Sequence, residues 1–174
     1  MSSINTLPGS QWSNVTIPES IIETANGIGG SSLSTTLIQY ASTSLTNTNM
    51  LALRATPITV VSAPGAGKIL EFISACLIFD YTAAYTETTD NMAIRYNDGS
   101  GVIVSDTIEA TGFVDATADT ITFARKAVDG IVAASAGVNK SLVIHNTGDG
   151  EYGGGNASNA IRIKVAYRIH TTGL

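Results

Sequence analysis

The chain has 174 residues, of which 13% are charged and 44% hydrophobic, and a net charge of -5. That length suits one domain, as a core alone or a core with an arm. The acidic balance offers no basic footprint for gripping a nucleic-acid backbone, a single cysteine excludes an intrachain disulfide and a cysteine metal cluster, and no apolar run is long enough to span a membrane. Many apolar residues with few charges suit a surface partly covered by other copies or by another protein.

The first residues, MSSINTLPGSQW, lack a positive start and an apolar run, so the expectation is a soluble protein made in a cytoplasm without a secretory leader. Within residues 1–50, 23 are Ser, Thr or Asn and none is Lys or Arg, whereas charged residues become frequent after residue 67. Too little apolar surface is concentrated there to fold alone. Residues 1–55 are therefore read as an extended N-terminal arm. Trp12, Ile17, Ile21, Ile22, Leu37 and Tyr40 are its candidate partner-binding anchors, with Leu33 and Ile38 beside them, because a free linker needs fewer.

From residue 56 the chain changes to short runs of Val, Ile, Thr, Phe and Tyr between turn residues, as in an antiparallel β domain spanning 56–174. PITVVS at 57–62 is a strand. KILEFISACLIFDY at 68–81 is apolar on both alternating faces and reads as a long buried strand, with Cys76 a small buried apolar residue inside it. NMAIRY at 91–96 and GVIVSDTI at 101–108 flank NDGS, whose chemistry supplies a tight hairpin turn. Strands follow at TITFARKA, SLVIHNT and NAIRIKVAYRIH, with one helical turn expected within 128–138. In the last strand Ile161, Ile163, Val165, Tyr167 and Ile169 share one face. NTGDGEYGGGNAS reads as an exposed loop. About eight strands fit an all-β antiparallel sandwich, of the jelly-roll kind.

Few residues point to chemistry. VVSAPGAGKILEF at 60–72 resembles a phosphate-binding P-loop, but Ser62 stands where the first glycine belongs and Ile69 where the magnesium-binding hydroxyl belongs. Lys68 is then a residue facing solvent or a partner's acid. His145 and His170 have no second ligand at a metal-binding spacing, and are read as hydrogen-bonded or exposed strand histidines. No serine-nucleophile elbow occurs. Glu87, Asp90, Asp98, Asp149 and Glu151 fall in expected loops, where turn roles outweigh calcium binding or glycoside hydrolysis.

The order TPITVVSAPGAGKILEF, NMAIRYNDGSG and NKSLVIHNTGDGEYGGGNASNAIRIKVAYRI, over about residues 56–170, resembles the small β-domain structural proteins of tailed bacteriophages, in particular capsid decoration, or cement, proteins. The resemblance implies a jelly-roll or related sandwich that forms homotrimers on the outer capsid surface of an icosahedral head. There it would bind the major capsid protein and lock adjacent capsomers, in a virion built in a bacterial cytoplasm. It implies no catalytic residue, no cofactor, no metal, no nucleic acid and no membrane. Two other readings stand beside it. One is a head-fibre or tail receptor-binding module that touches a host glycan through the loop at 149–158. The other is an enzyme, either a nucleotide hydrolase using Lys68 or a glycosidase using loop acids.

Overall fold

The computed structural model describes residues 37–87, 90–128 and 132–174. Nine strands are named among them: β1 Gln39–Thr46, β2 Ile58–Val61, β3 Lys68–Asp80, β4 Tyr85–Thr86, β5 Met92–Tyr96, β6 Thr120–Arg125, β7 Leu142–Asn146, β8 Gly153–Gly154 and β9 Ala160–Thr171. Two short helices, α1 at Asn47–Met50 and α2 at Ala134–Gly137, complete them. The second falls inside the stretch where a helical turn was expected.

One sheet has the order β1-β9-β3-β6 and a second the order β2-β7-β5, all antiparallel. The segment 102–108 lies along the open side of β5 through the bridges Arg95↔Ile103 and Met92↔Ile108, so the second sheet has four members. Main-chain strands therefore alternate between two four-member layers in jelly-roll order, as the sequence pattern indicates. The small pair β4-β8 closes one end.

GVIVSDTI does not form the regular strand its sequence suggests. Ile94 N donates to the Ser105 side chain at 2.9 Å and Ser105 bridges to Lys126, so the segment turns from one layer toward the other partway along. The NDGS turn forms as expected, with Tyr96 N donating to Val102 O at 3.0 Å and Asn97 left-handed at φ 65°. A side chain at Gly101 would overlap the Tyr96 carbonyl, which explains the glycine there.

The core lies between the layers. Leu70, Phe72, Leu77 and Phe79 of β3 and Ile161, Ile163 and Val165 of β9 face Met92, Ile94, Leu142 and Ile144 of the second sheet, all buried. Phe79 also meets Tyr85 and Phe113 at ring-centroid distances of 5.7 and 6.2 Å, filling the end closed by β4-β8.

Two expectations change. Residues 39–55 had been grouped with the arm, yet β1 pairs with β9 at eight positions and Leu45, Met50 and Leu53 are fully buried. This part of the chain belongs to the β body; Trp12, Ile17, Ile21 and Ile22 lie outside the described residues. The second change concerns β3, expected to be buried on both faces. Its outward residues, including Glu71, Cys76 and Ile78, are only half-buried; among the described residues α2 and Val132 reach that side at Ile69 alone.

Leu77 sits at the centre of the β3-β9 layer with no exposed surface. Leu77→Ala is expected to destabilise the fold by about 2 to 5 kcal/mol through lost transfer energy and the cavity left behind, read as a fall in the denaturant midpoint at unchanged slope.

Candidate functional site

The β2-β3 turn places the residues of the P-loop-like stretch first. Gly65 and Gly67 are left-handed, at φ 99° and 66°, and the turn runs straight into β3, so Ile69 lies in a strand where an anion-binding loop would need a helix N-terminus. Its backbone is also engaged: Gly65 N donates to Asn139 Oδ1 at 3.0 Å, and Thr172 N and its hydroxyl both donate to Gly67 O, at 2.8 and 2.9 Å. This cradle is closed by the protein's own groups.

A groove bordered by titratable groups lies at the end of the second sheet. About 600 Å³ in volume, it is lined by Arg54, Pro57, Asp98, Ser100, His145 and Asp149, with Glu151 on its wall. His145, at 7% exposure, comes from β7, a strand buried along its whole length. Its Nε2 donates to Arg54 O at 3.1 Å, which leaves Nδ1 as the acceptor facing Arg95 Nη1 at 3.3 Å. Arg95 also donates to Gly99 O, and Arg54 to Gly148 O. Glu151 accepts from the amides of Arg54 and Ala55 at 2.9 and 2.7 Å, and Asp98 from Ser100 N at 2.8 Å.

Each polar group of this groove that sits at depth is thus holding backbone. His145 is a hydrogen-bonded strand histidine, as its sequence context suggested, and a neutral one. Burial pushes its pKa below the ordinary imidazole value, and the neighbouring Arg95 charge adds to the effect. With both ring nitrogens occupied it has no free site for a substrate proton. The groove can hold a polar surface against its rim; its residues form no nucleophile-base pair.

The glycine-rich loop is fastened more firmly than composition suggests. Asp90, 1% exposed, accepts from Gly150 N at 3.2 Å, and its carbonyl accepts from the Tyr152 hydroxyl. Asn146 accepts from Gly148 N at 2.8 Å and donates to Gly150 O at 3.0 Å. Asn159 holds the facing turn, accepting from the amides of Thr82 and Ala83 at 2.9 and 3.0 Å. Tyr152, the aromatic residue of the loop, is buried against Tyr85 at 6.5 Å, so it is not displayed for stacking on a sugar.

The remaining histidine, His170, lies on the outward face of the first sheet. There Glu71 meets the cations of Lys126, Nζ at 2.9 Å, and Arg168, Nη1 at 3.8 Å, and hydrogen-bonds His170 Nε2 at 2.8 Å. Hydrogen bonds from His170 and Lys126 hold the Glu71 carboxyl below its usual pKa. Cys76 is half-exposed on the same face, not buried as expected. Among the described residues no group of three His, Cys, Asp or Glu is placed to hold a metal ion. Of the arm anchors, Leu37 and Tyr40 are described, and both are exposed.

Sequence reasoning singled out the loop acids but missed Arg54, Arg95, Asn146 and Asn159. An isolated Asn or Arg carries no periodic signal that says which distant backbone it will satisfy. No protein-family model and no curated protein matches the sequence. Among solved structures, the chain is similar to one in the cyanophage Pam1 capsid asymmetric unit, with a TM-score of 0.43 and 16% identity over 93% of this chain and 99% of that one. It is also similar to one in the capsid of Ralstonia phage GP4, with a TM-score of 0.36 and 13% identity over 82% and 90% respectively.

Two predictions follow from the groove and the loop. Because the folded pKa of His145 lies below its unfolded value, the unfolded chain binds the extra proton first. Stability is full above about pH 6.5 and falls as the pH drops below it. Thermal midpoints measured from pH 7.5 to 5 are expected to decline, and His145→Gln to flatten that slope. A side chain at Gly148 would overlap the Asp90 carboxylate. Gly148→Ala is expected to cost about 1 to 3 kcal/mol and to speed amide exchange at Gly150.

Proposed function

We propose that the chain is a structural, non-catalytic virion protein, a capsid decoration or cement protein. In this reading it trimerises on the outer surface of a bacteriophage head, contacts the major capsid protein and stabilises the junctions between capsomers. Its residues 1–36 serve as the attaching arm, with Trp12, Ile17, Ile21 and Ile22 as anchors, and the exposed Leu37 and Tyr40 add to them where the arm meets the body.

The observation that carries the reading is the position of β1. Among the described residues it pairs only with β9 and so forms an edge of the first sheet. An arm leaving from a sheet edge can add main-chain hydrogen bonds to a neighbour's strand and take its register from alternate side chains. Ordering such a segment costs roughly 1 to 2 kcal/mol per fixed backbone residue, and the apolar anchors are what would offset that. Three arms on one trimer then attach at high effective concentration, so individually weak contacts suffice.

The body supports the same reading. Polar side chains around its groove and glycine-rich loop are tied to its own backbone, as at His145, Glu151 and Asp90. The buried Tyr152 removes the aromatic platform that the glycan-binding alternative would use.

The placement of β1 also says where the arm can be cut. Removing residues 1–36 is expected to leave the thermal midpoint of the body within a few degrees of the full chain while abolishing stable attachment to heads. Removing 1–50 takes away β1, Leu45 and Met50 and is expected to unfold it. Purified particles should contain the full-length chain, and heads stripped of it should release DNA under milder heat or osmotic shock. Normal head occupancy by the 1–36 deletion, or equal resistance of stripped heads, contradicts the proposal.

A further inference from the structure

The outward face of β6 runs against the usual rule for a half-buried strand. In TITFAR the small or polar Thr120, Thr122 and Ala124 point inward, while Ile121 and Phe123 point out and are 57% and 71% exposed. A one-residue shift would bury the large apolar pair. The ladder with β3, running from Ser74↔Arg125 to Phe79↔Thr120, instead holds them in solvent. Tyr40, 77% exposed, flanks the same face from the opposite edge.

Between those apolar margins the face is cationic. Arg125, Lys126, Arg162, Lys164 and Arg168, five of the chain's nine Lys and Arg residues, lie on or beside it, against Glu71 and Asp80 on the face and Asp106 at its β6 edge. Lys164 carries no acidic partner on that face and neighbours Cys76 and Phe123 in register. Elsewhere the described residues hold four cations against eight acids. A protein of net charge -5 therefore segregates its charge, with one positive, partly apolar sheet face and an acidic remainder.

The second sheet shows that such exposure is not general. Its outward side chains at His145 and Arg95 are covered by the Arg54 segment, the 97–100 turn and the 148–151 loop. Among the described residues the first sheet has no comparable cover beyond the Val132 and α2 contact at Ile69.

We infer that the outward face of the β1-β9-β3-β6 sheet is the contact through which a second copy of this chain binds, by way of that copy's acidic side. The inference rests on the assembly reading above and assigns it a surface. A twofold contact of this face with itself would bring its net positive charge against its own kind. The complementary contact is heterologous, cationic face to the acidic remainder, and a heterologous contact forms a ring when its rotation closes. The face spans on the order of 600 Å² from strand spacing and rise, near the roughly 800 Å² per partner of stable interfaces. Phe123 supplies the aromatic anchor that such interfaces favour.

The test is sedimentation equilibrium of the full chain in low salt and at about 1 M salt, where charges are screened beyond roughly 3 Å. The expected result is a ring-sized oligomer in low salt whose dissociation constant rises at least tenfold in high salt. Lys164→Glu with Arg125→Glu should give monomers, and Phe123→Ser weaker oligomers, each with unchanged circular dichroism; Lys140→Glu should behave as the parent. An oligomer indifferent to salt and to both sheet-face variants overturns this surface and leaves the assembly reading standing. A chain that is monomeric at every concentration overturns both.

Discussion

The antiparallel ladder between β3 and β9 is the constraint on which the rest of the molecule depends. These are the longest strands, at 13 and 12 residues, and they pair from Lys68↔Thr171 to Asp80↔Ala160. Because side chains alternate with period two, this one register decides which residues enter the core. It places Leu77 beside Ile163 and Phe79 beside Ile161 on the inner face, and Cys76 beside Lys164 on the outer. The shift between Phe72 and Ser74 adds one residue to β3 there, letting both halves of the strand keep their apolar residues inward. β1 and β6 then attach to the two outer flanks of the pair and inherit its faces.

That inheritance explains the contrast between the two layers. The second sheet is roofed on its outer side by connecting segments, and the polar groups that reach it, His145 and Arg95, find carbonyls of those segments as partners. Its chemistry is internal and structural. Among the described residues the first sheet has no comparable roof, so the register that buries Leu77 and Phe79 displays their alternates. On β6 those alternates are Ile121 and Phe123. Exposing them has a cost in water that a free-standing layer has no reason to bear, which is why the face makes physical sense as a contact.

Much of this was legible in the residues. Long alternating runs such as NAIRIKVAYRIH announced β9 and its buried face, the NDGS turn announced its hairpin, and the missing glycine and hydroxyl around Lys68 argued against a phosphate loop before Ile69 was seen in a strand. The boundary at 55 was misplaced for a physical reason. QYASTSLT is an edge strand whose inward residues, Ala41, Thr43 and Leu45, are mostly small, so its period-two pattern is hidden in a composition that resembles the preceding arm. β6 was found as a strand, but which of its faces pointed inward could not be read locally, because the β3 register overrides its own pattern. The fastening of the glycine-rich loop was equally invisible. Asp90, Asn146 and Asn159 act across the fold on backbone groups whose proximity only the finished topology creates.

The edge position of β1 also governs how the body would carry a load. Tension arriving from residues before Gln39 along the strand axis is shared by the whole β1-β9 ladder, whose eight pairs resist together. A pull away from the sheet plane would open them one after another. Behind the ladder stand Met50 and Leu53, fully buried, and the Thr46 cap in which Asn49 N donates to the Thr46 hydroxyl at 3.3 Å. Peeling β1 from its edge therefore does not release the chain, because the next anchor is apolar burial, which is insensitive to the direction of force. An attachment with a directional main-chain stage followed by a non-directional core stage yields gradually. For a protein whose proposed role is to hold a pressurised lattice together, that is a more useful mode of failure than a single pocket letting go.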